Sequence, residues 1–125
     1  MLEIRETRIF RASTIIPVNS SMHILILEDS PTDVELIVRE LEKAGLNFGY
    51  EVVDTREAFM SQLNGDNLPD VILSDHNLPS FSGSEAFEVL KEKNLDIPFI
   101  LITGTLQDEV AAEILRLGLD DYILK

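Results

Sequence analysis

At 125 residues the chain has room for one domain with a single core, and 45% apolar content excludes a disordered chain. Twenty-three acidic residues against ten basic ones leave a net charge of −13, which argues against direct binding to nucleic acid or anionic lipid and favours cations and basic partner surfaces. Cysteine is absent, so disulfides and thiolate metal sites are excluded, and a cytoplasmic setting suits the composition.

Residues 1 to 21 differ from the rest. Arg5, Arg8 and Arg11 outweigh Glu3 and Glu6, so this segment carries a net +1 while 22 to 125 carry −14. It ends in the turn-like PVNSS before Met22, and it reads as an extension or linker outside the main domain, 22–125. Two glutamates among its arginines speak against a transit peptide. The longest apolar runs are four or five residues, far below a membrane span, and no secretory signal is visible.

From Met22 onward, HILIL (23–27) is a continuous β-prone run, as expected of a strand covered on both faces. Ser30-Pro31 supplies an N-cap and a first-turn proline. Val34, Ile37, Val38 and Leu41 then follow at helical spacing, and Gly45 closes the helix. YEVV (50–53) reads as a second strand, TREAFMSQL (55–63) as a short helix opened by Thr55, and DVILS (70–74) as a third strand. SEAFEVLKEK (84–93) is a helix with Ala86, Phe87 and Leu90 on one face. PFILIT (98–103), LQDEVAAEILRLG (106–118) and DYILK (121–125) complete the series as strand, helix and strand. This alternation predicts a doubly wound α/β domain, with a parallel sheet and helices on both faces.

In such a sheet, ligands bind beyond the carboxyl ends of the strands. Those ends carry Glu28-Asp29, Asp75, Thr103-Gly104 and Lys125. Singly each has an ordinary explanation, since an Asp after a strand is usually a turn former or a cap. Together they place three carboxylates, a hydroxyl and an ammonium at one edge. Clustered carboxylates repel unless protonated or bridged by a cation. With oxygen donors only, no cysteine and no suitably placed histidine, a hard cation such as Mg2+ fits best. A Mg2+ with open positions, flanked by Thr and Lys, is suited to receive phosphate oxygens.

The stretches ILILEDSPTD, DVILSDHNLPSFSG, FILITG and GLDDYILK, in that order, resemble the receiver domains of two-component response regulators from Met22 to Lys125. The resemblance implies a flavodoxin-like five-stranded sheet of order 2-1-3-4-5. It also implies a phosphoacceptor role for Asp75, with the phosphoryl group supplied by the phosphohistidine of a histidine kinase or a histidine phosphotransfer protein. Asp29 and Asp75 would hold Mg2+ directly, Glu28 through water, and Asn77 through its backbone carbonyl. Thr103 and Lys125 would each contact a phosphoryl oxygen. Gly104 would leave room for that group, and Tyr122 would be the aromatic that moves on activation together with Thr103. A catalyst of small-molecule turnover is not implied, only self-phosphorylation and self-dephosphorylation. His23 stands at the far end of its strand, and His76, next to the acceptor, reads as solvent-facing.

Other readings share the sheet plan. A flavin binder would need a Gly/Ser/Thr-rich phosphate loop after strand one, where this chain has Glu28-Asp29. A Mg-dependent aspartyl-phosphate phosphatase would typically carry a second acid where Asn77 stands. A phosphorylation-independent interaction module would keep the fold alone. The receiver plan also implies a fifth helix after the fifth strand, which residues up to 125 do not supply. Three outcomes are expected from this: a chain that continues, self-association through the uncovered face, or an extension that folds back over it, with truncation and association favoured.

Overall fold

The β-prone run after Ser21 becomes β1, Met22–Leu27, which pairs in parallel with β2 (Phe48–Val53) on one side and β3 (Val71–Asp75) on the other. β4 (Phe99–Thr103) joins β3, and the backbone of β5 (Asp121–Leu124) runs along β4, giving the order β2-β1-β3-β4-β5. Among the described residues three helices connect the strands: α1, Pro31–Lys43; α2, Arg56–Gln62; and α3, Gly83–Glu92. The computed structural model describes residues 21–75, 78, 81–103 and 121–124, with backbone only at 103 and 121–124. The helix expected over 106–118, the extension before Ser21, His76, Asn77, Gly104 and Lys125, and the side chains of Thr103 and Tyr122 lie outside the described residues.

Each helix begins where a hydroxyl can take up a free backbone N–H. Ser30 Oγ accepts from the Asp33 amide at 3.3 Å ahead of Pro31, Thr55 Oγ1 from Ala58 at 3.1 Å, and Ser82 Oγ from Glu85 at 3.1 Å. Beyond α1, Gly45 turns at φ +78, a conformation that a side chain would strain.

Alternation along the strands divides the core into two layers. Leu25, Leu27, Ile72 and Leu101 pack with Phe59 of α2, with Leu63 at its C-cap, and with Ala86, Val89 and Leu90 of α3. Ile24, Ile26, Val71, Leu73, Ile100 and Ile102 form the opposite layer with Ile37 and Leu41 of α1. This is the expected flavodoxin-like α/β plan, with β1, β3 and β4 buried because helices cover both faces. β2, at the edge, leaves Tyr50 and Val52 exposed. No helix among the described residues is long and apolar enough to cross a membrane.

The structure corrects two expectations. β2 starts two residues early, at Phe48, because the ladder with β1 continues through Gly49, whose backbone pairs with His23. β3 runs to Asp75 rather than Ser74, since Asp75 is still in register with Ile102.

Phe59 is fully buried, with its ring centroid 5.4 Å from that of Phe81. Phe59→Ala removes a ring that no neighbour can replace and is expected to cost about 3–5 kcal/mol. Urea unfolding checks this as a lower midpoint with an unchanged slope.

Candidate functional site

β1 ends at Leu27, and the next two residues stand at the carboxyl edge of the sheet. Glu28 is anchored by its own amide, which donates to the Val53 carbonyl at 3.1 Å. Its side chain folds back: Oε1 accepts from the amides of Asp29 at 3.0 Å and Ser30 at 3.1 Å. Glu28 is therefore only 3% exposed, and one carboxylate oxygen is already committed to the turn that starts α1. Asp29 is exposed.

Asp75 comes to the same edge on the tip of β3 and is 9% exposed. The Ser74 hydroxyl donates to the Asp75 carbonyl at 3.1 Å, and Ser74 is fully buried. Leu78 and Phe81, which follow Asp75 in the chain, are both buried in the α2–α3 layer. The Phe81 ring also lies under the Arg56 guanidinium, 5.8 Å from its centroid. Asp75 is held on one side by its pairing with β4.

The strand order that carries β1 beside β3 brings Glu28, Asp29 and Asp75 together, with one carboxylate oxygen from each within 4.8 Å of the others. Of the sequence-predicted site residues, these three are shown side by side. Thr103 ends β4, one residue beyond the partner of Asp75, so its backbone is at the same edge. Tyr122 is in register with Leu101. A cleft of about 400 Å³ opens beside the cluster towards β2, lined by Asp29, Val34, Val52 and Asp54 among others.

Two contributors were not apparent from the sequence. Ser74 was visible only as a polar residue at the end of an aliphatic strand. Gly83, one residue before the expected start of its helix, is buried against the tip of β3.

The sequence profile of the response regulator receiver domain matches residues 24–125. The phosphate regulon transcriptional regulatory protein PhoB of Pseudomonas aeruginosa is 38% identical over 104 residues, covering 82% of this chain and 44% of that protein. Response regulator SaeR of Staphylococcus epidermidis is 34% identical over 106 residues, 82% of this chain and 43% of its own length. The chain thus spans less than half the length of these relatives. Among solved structures, the phosphorylated cyanobacterial phytochrome response regulator RcpA superposes with a TM-score of 0.73 at 25% identity, covering 85% of this chain and 81% of that one. With a matched profile over nearly all of 22–125 and an acidic cluster at the strand tips, the chain belongs to the receiver domains of two-component response regulators.

Proposed function

We propose that residues 22–125 are a phosphoacceptor unit. In this reading it takes a phosphoryl group from the phosphohistidine of a histidine kinase or histidine phosphotransfer protein onto Asp75, with Mg2+, and changes an output surface in response. The observation that carries the reading is the convergence of Glu28, Asp29 and Asp75 within 4.8 Å at the carboxyl edge of a parallel sheet. RcpA, similar in sequence and fold, is described as phosphorylated.

The donor set fits a hard cation: it offers carboxylate oxygens only, and three negative groups at this separation repel without one. Asp29 and Asp75 would hold Mg2+ directly, Glu28 through water, and Asn77 through its carbonyl. Bound there, Mg2+ supplies positive charge to offset the phosphoryl oxygens. A carboxylate oxygen of Asp75 attacks phosphorus in line as the N–P bond to the donor imidazole breaks, and the imidazole leaves with the electron pair. The sheet tip restricts where that oxygen can be, which is its contribution to rate. Thr103 would hydrogen-bond one phosphoryl oxygen and Lys125 would pair with another. Tyr122 would follow Thr103 as the two-position element that carries the change outward.

The complete five-stranded plan with a helix over 106–118, the domain boundary at Met22 and a cytoplasmic setting belong to the same reading. So does a signalling role limited to self-phosphorylation and self-dephosphorylation.

Incubation with acetyl phosphate and Mg2+, followed by borohydride reduction and peptide mapping, tests it. The expected result is a single reduced residue at position 75. No incorporation, or incorporation at another residue, overturns it.

A further inference from the structure

Gly83 opens α3 at a position where alanine would form helix more readily. Its φ is outside the left-handed region, so backbone conformation does not require glycine there. Space does. A methyl carbon at this position would stand 2.8 Å from Leu101 Cδ1, 3.1 Å from the Asp75 carbonyl oxygen and 3.2 Å from Ser74 Oγ. The Leu101 contact is with the end of a flexible side chain, which can turn aside. The other two atoms have less freedom, because the Ser74 hydroxyl is buried and donates to that same Asp75 carbonyl. Asp75 is in register with Ile102 of β4, so any relief either lifts α3 or moves the strand tip.

We propose that Gly83 is a positioning residue for Asp75. Its bare α-carbon lets the first turn of α3 seat against the last peptide of β3, and this seating sets where the Asp75 carboxylate stands relative to Glu28 and Asp29. The inference rests on the reading of Asp75 as the phosphoacceptor.

The test compares wild type, Gly83→Ala, Leu101→Val and the double variant in the full chain. Melting temperature, phosphorylation rate with acetyl phosphate at saturating Mg2+, and the Mg2+ concentration that half-saturates the thermal shift are measured for each. Gly83→Ala is expected to slow phosphorylation by roughly 10- to 100-fold, as a misplaced nucleophile does, and to need more Mg2+. Leu101→Val removes the flexible obstacle alone, so in the double variant the melt recovers while phosphorylation stays slow. Recovery of both in the double variant would show that Gly83 acts only through packing of α3 on β4, and would overturn the proposal. A wild-type rate and Mg2+ response in Gly83→Ala would do the same while leaving the phosphoacceptor reading intact. A wild-type chain with neither phosphorylation nor a Mg2+ response overturns that reading, and the role of Gly83 with it. If Gly83→Ala alone does not melt cooperatively, the double variant decides on the same criteria.

Discussion

Asp75→Asn is expected to take up no phosphoryl group from acetyl phosphate, a loss on the order of 10³-fold or more. The amide has nearly the shape of the carboxylate, and the Ser74 hydroxyl bonds the backbone carbonyl of residue 75, which the substitution leaves in place. The register with Ile102 is likewise a backbone property. What disappears is the anionic oxygen proposed to attack phosphorus. One of three crowded negative charges also disappears, so the variant should melt at or above the wild-type temperature without Mg2+. Intact mass measured beside the melting curve separates the two effects. A folded variant with the wild-type mass increase would place the acceptor elsewhere.

Asp29→Ala addresses the cation. Mg2+ bound to the native state at ten times its Kd adds about 1.4 kcal/mol, or roughly 5 °C for a domain of this size. Asp29 is exposed, so alanine there opens no cavity. The two hydrogen bonds that hold Glu28 come from the backbone amides of residues 29 and 30, and alanine keeps both. The substitution therefore removes one proposed ligand and leaves the turn that holds Glu28 in place. Most of the Mg2+-dependent rise in melting temperature should be lost, with the metal-free protein unchanged or more stable. A Mg2+ response equal to that of wild type would exclude Asp29 from the ligand set.

Much of the architecture was legible because local chemistry and global fold agree here. Ser30-Pro31 and Thr55 announce helix starts that the structure realises with the expected capping bonds. HILIL and VIL have the composition of strands enclosed on both faces, and they are so enclosed. Gly49 and Asp75 mark where linear reading stopped short, since both belong to strands for reasons held by the partner strand. A glycine or a carboxylate looks like an end until its ladder is seen. The acidic residues could be grouped from their positions at strand ends, because a parallel sheet sends all those ends to one edge. The way Glu28 folds onto the next two amides, and the reason α3 begins with glycine, depend on distances across the turn and between elements. No spacing along the chain encodes them.

Ile72 and Leu73 are adjacent in β3, yet one lies in the layer of α2 and α3 and the other in the layer of α1. Isotope-labelled methyl groups at these two positions would therefore act as paired reporters for an event at Asp75, each sampling a different side of the sheet. A signal that moves only at Ile72 would trace the response into the α2–α3 half, and one that moves only at Leu73 into the α1 half. The alternation that builds the core thus also provides a direction finder for whatever the domain transmits.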